Sequence, residues 1–221
     1  MTNWKEELTG VGALWHHDGH PDRPYALLTS DRISGDFADT TFAMAKPSLI
    51  AKAAIELARK VKEHYPDIDH TKLVICGQQE GSTTLASRIA EELDCGFVYT
   101  TKVGEGADKK MVLADRFAGI FREGSFTVLV EDVSTTAGTS AQSRVALDEA
   151  DFQVSENLLT LVDRTGGSND HGFNVVSCYT PDNFPTWPEG ENPHTPDGKE
   201  LVAPVRPKSK ANRAAMRQVL P

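Results

Sequence analysis

The chain has 221 residues, 39% apolar and 25% charged, with a formal net charge of −9 from 23 basic and 32 acidic side chains. That acidic balance excludes a general nucleic-acid binder, which needs a basic surface to displace counterions, but leaves room for a locally basic pocket. No apolar run approaches the ~20 residues of a membrane helix, and Met1 to Glu7 lacks the basic-then-apolar order of a signal peptide. A cytoplasmic protein with no membrane or nucleic-acid partner is therefore expected.

In chain order, the first 25 or so residues read as a short helix and a loop leading to an extended stretch near Tyr25 to Leu28. His16, His17 and His20 in this region are expected to be surface or loop histidines, because no carboxylate pattern completes a metal site. From Pro47, the apolar residues Ile50, Ala53, Ala54, Leu57 and Val61 recur at helical spacing, with Pro47 suited to a first turn and Pro66 to the end. Leu73 to Cys76 is a short continuous apolar run, as in a strand covered on both faces. Ser82 to Leu93 follows as a helix. Gly96 to Thr100, Phe126 to Val130, Leu158 to Val162 and Phe173 to Ser177 read as further strands, and Ser140 to Ala150 as a helix.

This alternation predicts an α/β fold, a parallel sheet flanked by helices with right-handed crossovers, and ligands at the carboxyl ends of its strands. Three segments are expected: an N-terminal hood over 1–45, a core over 46–180, and a proline-rich C-terminal segment over 181–221 that packs on the core or the hood. Cys76, Cys95 and Cys178 fit neither a zinc ribbon nor a disulfide framework and read as small buried residues.

The chemistry concentrates in Val128 to Ser140. An apolar strand runs into Glu131 and Asp132, then into Ser134, Thr135, Thr136, Ala137, Gly138 and Thr139, and a helix starts at once. Adjacent strand residues point to opposite faces, so the two acids diverge unless the strand has ended by then; at a strand end both reach the ligand crevice. Carboxylates there accept hydrogen bonds from ribose hydroxyls. Backbone amides, hydroxyls and the positive end of the following helix make a phosphate cradle. No nucleotide-binding G-x-x-x-x-G-K-[ST] motif is present, and Gly104-Glu105-Gly106 lacks the third glycine of a dinucleotide fingerprint.

This stretch resembles the phosphoribosyl-pyrophosphate signature of type I phosphoribosyltransferases. The resemblance implies that Glu131 and Asp132 bind the ribose, and that Thr135, Thr136, Ala137, Gly138 and Thr139 bind the 5′-phosphate. Ala137 stands where many members have glycine; a negative φ there would let alanine serve. Gly77, Gly81 and Ser82 resemble the family's pyrophosphate loop, with the bulkier Gln78, Gln79 and Glu80 between them. Lys102 fits the basic residue leaving the next strand, Lys109 or Lys110 the catalytic lysine of a mobile loop, and Arg116 can join them at the pyrophosphate.

Leu27 to Phe37 and the segment Asp163-Arg164 are similar to orotate phosphoribosyltransferases, implying a base site with Ser30, Arg32, Phe37 and Arg164. Asp31 replaces a usual glycine there. A guanidinium fork suits the orotate carboxylate, so Arg164 favours that base. Mg²⁺ is expected to arrive on the pyrophosphate with water as co-ligand and at most Asp132 from the protein. A homodimer sharing a lysine across its sites is also implied. Another base, or a regulator that binds phosphoribosyl pyrophosphate without turnover, are the alternatives.

Overall fold

The computed structural model describes residues 2–17, 20–28, 31–105, 108–117, 119–121, 124–166, 169–181, 186–188 and 202–207. The chain divides into two compact units, residues 1–39 with 182–221, and residues 40–181.

The larger unit holds a six-stranded sheet. Its strands are β5 (Leu73–Gln78), β6 (Gly96–Val103), β7 (Lys110–Leu113), β8 (Phe126–Ser134), β9 (Gln153–Asp163) and β10 (Asn174–Tyr179), in the order β10-β9-β8-β5-β6-β7. Every pair is parallel except β6 with β7. All of β5 is buried, as its unbroken apolar run predicts. Three longer helices cover the sheet: α3 (Pro47–His64), α4 (Thr83–Leu93) and α5 (Gly138–Asp148).

Helix α3 begins with Pro47 in its first turn and buries Leu49, Ile50, Ala53, Ala54, Leu57, Ala58 and Val61. The crossovers β5-α4-β6 and β8-α5-β9 leave the middle of the sheet in opposite directions. A right-handed connection in each therefore puts α4 and α5 on opposite faces, and α3 packs beside α4. The core between sheet and α5 includes Val98, Leu129, Leu147, Leu158 and Phe173.

Strands β6 and β7 form an antiparallel edge in which Lys102 pairs with Met111 and Val103 with Lys110, so the polar run from Val103 to Lys110 has its two end residues in the strands.

The smaller unit joins both ends of the chain. It contains α1 (Trp4–Gly10), β1 (Leu14–His16), β2 (Ala26–Leu27), β3 (Arg32–Ser34), β4 (Asp36–Ala38) and β11 (Thr186–Pro188). Strand β11 pairs with β3, and Val205 bridges to Ala26. The C-terminal segment thus completes the N-terminal sheet. A short helix α2 (Thr41–Met44) opens the larger unit. Among the described residues, no helix is long and apolar enough to cross a membrane.

Candidate active site

The strand order reverses between β5 and β8, the place where ligands bind in open parallel sheets. Both carboxyl ends carry the residues singled out above. Strand β8 continues through Ser134 and includes both acids. Glu131 is 8% exposed and faces Ser140, in the first turn of α5. Burial pushes its carboxyl up to about 7; the hydroxyls of Ser140 and Ser134 draw it down, the Asp132 charge pushes it up, and the Ser140 backbone N–H draws it down. Asp132 is half-buried, and Thr40 Oγ1 donates to its Oδ2 at 2.5 Å.

The turn after β5 passes directly over Asp132. A methyl group added at Gly81 would lie 2.7 to 2.8 Å from all three atoms of that carboxylate. Gly77 is required for a different contact, since a Cβ there would meet Thr83 Cα at 2.9 Å; it lets α4 start against β5. Ser82 is buried, its hydroxyl accepting from Gln78 N at 2.8 Å and donating to Val130 O at 2.6 Å. Its side chain thus ties β5 to β8. The Gln79–Glu80 peptide bond is cis, and both side chains are exposed.

Between β8 and α5, Thr135 and Thr136 are exposed and Gly138 and Thr139 half-buried. Ala137 adopts φ 59° and ψ 18°, a left-handed conformation; the negative φ expected of it is not found. Strain of about 1–2 kcal/mol is offset in part by its methyl, which sits in the core cluster with Leu129 and Leu147. The usual glycine at this position thus has a conformational reason. A methyl at Gly138 would come 3.4 Å from Thr136 Oγ1 and 3.7 Å from His171 Nε2, so an imidazole stands beside the turn.

Arg164 follows β9 directly, and its backbone N–H donates to Ser134 O at 2.7 Å. Asp163 is buried, accepting from Thr165 N and Oγ1 at 2.8 and 2.7 Å. Lys102, Lys109 and Lys110 are exposed, and Arg116 lies over the Tyr99 ring at 5.9 Å.

In the smaller unit, Arg32 Nε donates to Thr186 Oγ1 at 2.8 Å, and Phe37 packs against Trp15 and Ala26. Ser30 lies outside the described residues. Asp31 has φ 56° and pairs with Arg206, so it occupies a left-handed conformation that glycine adopts without strain. His16 bonds Asp36 at 2.6 Å, while His17 is buried and stacked on Tyr25. Among the described residues, no group of three or more His, Cys, Asp or Glu could hold a metal ion. An open groove of about 910 Å³ at the amino ends of β8 to β10 lies at the opposite end of the sheet. Its Tyr65, Ser155 and Asn157 bond one another.

Sequence reasoning missed Thr40, Gln78, Ser140 and His171. Thr40 gave no signal, because its partner Asp132 lies 92 positions away. Ser140 was legible only as a helix start.

Residues 46–194 match the model of the phosphoribosyl transferase domain. An orotate phosphoribosyltransferase from Listeria innocua is 25% identical over 134 residues, 61% of this chain and 60% of that protein. One from Pyrococcus furiosus is 25% identical over 144 residues, 65% of this chain and 74% of its own length. The crystal structure of orotate phosphoribosyltransferase from Aeropyrum pernix superposes with a TM-score of 0.61 at 25% identity, covering 79% of this chain and 92% of that one. An adenine phosphoribosyltransferase structure gives a TM-score of 0.57 at 17% identity, covering 79% and 99%, a likeness of fold.

Proposed function

Because this chain belongs to the phosphoribosyl transferase family, we propose that it transfers ribose 5-phosphate from phosphoribosyl pyrophosphate to orotate, giving orotidine 5′-monophosphate and pyrophosphate. The observation that carries the reading is the meeting of two strand ends at one switch point, where the glycine turn after β5 lies against Asp132 and the Thr135–Thr139 turn follows Glu131.

In this reading the ribose hydroxyls donate to Glu131 and Asp132. The 5′-phosphate rests on the turn 135–139 at the start of α5, with His171 as a further donor beside it. As the bond to pyrophosphate breaks, the two carboxylates face a ribose that gains positive charge. The backbone of the turn at Gly81, with Lys102, Lys109, Lys110 and Arg116, receives the leaving anion. Mg²⁺ carried on the pyrophosphate would neutralise part of that charge. A second copy of the chain, delivering a hairpin lysine to its neighbour's site, belongs to the same proposal.

Orotate is preferred over other bases on Arg164, a guanidinium at the carboxyl end of β9 suited to a carboxylate. The test is a panel of free bases with phosphoribosyl pyrophosphate and Mg²⁺, read as pyrophosphate release. Orotate should give the highest rate, and Arg164→Ala should raise the KM for orotate about 10- to 100-fold with little change for phosphoribosyl pyrophosphate. A higher rate with a purine would transfer the assignment to that base; tight binding without turnover would mark a regulator.

The hairpin lysines should behave differently. Lys109→Ala and Lys110→Ala are expected to lower kcat about tenfold or more while leaving KM for orotate in place. Unchanged kcat in both would leave Lys102 or Arg116 to meet the leaving group.

A further inference from the structure

Gln78 closes β5 with its side chain only 4% exposed, between a buried glycine and the exposed Gln79 and Glu80. A buried amide needs partners, and this one has a specific partner. Its Nε2 donates to Ser140 Oγ at 2.7 Å, across 62 positions of sequence. Ser140 is fully buried and sits in the first turn of α5. It adjoins Glu131, whose raised carboxyl is drawn down by the Ser140 hydroxyl and backbone N–H. A serine hydroxyl has one proton. By accepting from Gln78, Ser140 keeps that proton for Glu131, and the chain of donors runs one way, from amide to hydroxyl to carboxylate.

A second link runs alongside. The Gln78 backbone N–H donates to Ser82 Oγ, which donates to the carbonyl of Val130, the residue before Glu131. The end of β5 is therefore tied to the end of β8 through backbone and side chain alike. Gln78 Oε1 has no hydrogen-bond partner among the described residues. An apolar side chain of the same length would fill the space without that unmet acceptor, so the amide is explained by what its Nε2 does.

We infer that Gln78 is a positioning residue, which acts through Ser140 to hold the Glu131 carboxylate in the orientation that receives the ribose hydroxyls. The inference rests on the proposed role of Glu131. It adds that the turn on the pyrophosphate side and the carboxylate on the ribose side are set by one buried strut.

The test is a double-mutant cycle in the full chain with Gln78→Met, Ser140→Ala and both, measuring initial rates against phosphoribosyl pyrophosphate and thermal unfolding in parallel. Each single change should lower kcat/KM for phosphoribosyl pyrophosphate about 10- to 100-fold, the range of a lost hydrogen bond to a charged group. KM for the base should stay within about twofold, and the double variant should be no slower than the slower single one, because the residues act in series. Ser140→Ala removes one oxygen only, and guards against a Gln78→Met that fails to fold. Wild-type rates in a folded single variant, or losses that multiply in the double, overturn the strut. A wild-type chain inactive on every base instead removes the functional reading beneath it, so the two failures are told apart.

Discussion

At pH 8, Glu131→Gln is expected to unfold at a higher free energy than the wild type, by up to roughly 3 kcal/mol, while turnover falls about a hundredfold or more. The reason is that burial raises this carboxyl from an ordinary 4.5 to about 7. The folded chain then holds the proton more tightly than the unfolded chain does. Stability from that difference is fully present below about pH 4.5 and is lost as the pH rises through about 7. Above that, the native state carries a charged carboxylate in a site that is 8% exposed. Glutamine keeps the shape and an oxygen able to accept from Ser140, but carries no charge to desolvate.

The gap between variant and wild type should therefore shrink as the pH is lowered towards 5. Denaturant unfolding of both proteins from pH 5 to 8 checks it; parallel curves would mean that the carboxylate imposes no such penalty. Activity should run the other way. In the proposed reaction ribose hydroxyls donate to the ionised form, so wild-type kcat/KM for phosphoribosyl pyrophosphate is expected to rise through about pH 7 and then level, and the glutamine variant should lack that inflection. A charge kept where it weakens the fold is what a working site looks like.

The parts of this fold that were legible in the sequence were those where burial writes an unbroken apolar run. Leu73 to Cys76 and Leu158 to Val162 are covered on both faces, and the helix from Pro47 carries its proline and its periodic face openly. What escaped was set by distant partners. Strand β8 outlasts its apolar run because Asp132 accepts from Thr40, just before α2, and the Ser134 carbonyl from Arg164, just after β9, and neither partner adjoins them in sequence. Strand β7 is hidden because it has only four residues, and its first, Lys110, continues the polar run before it.

The strands of the smaller unit have two or three residues each, too few to show alternation, and β11 finds β3 across more than 150 positions. The conformation of Ala137 was open to inference only through the glycine it replaces.

The second large effect is expected from a single methyl. Gly81→Ala would place a carbon within 2.7 Å of Asp132 Cγ and Oδ2 and 2.8 Å of Oδ1, distances that Cβ atoms do not tolerate. Asp132 has little freedom to yield, because Thr40 Oγ1 holds its Oδ2 at 2.5 Å. Either the turn lifts away from β8 or the carboxylate rotates off its hydroxyl, and each displaces a group to which the proposed reaction assigns a role. We expect kcat/KM for phosphoribosyl pyrophosphate to fall about a hundredfold, since displacements near 1 Å in a positioned site have effects of that order, with a stability loss of roughly 1–3 kcal/mol. Gly10→Ala, where nothing lies within 4 Å of the added carbon, serves as the control and should leave rates unchanged. The cause is isolated in the background of Asp132→Ala. There the clashing atoms are gone, so Gly81→Ala should cost little further stability. An equal loss in both backgrounds would mean that the glycine is required by its own turn and not by the carboxylate beneath it.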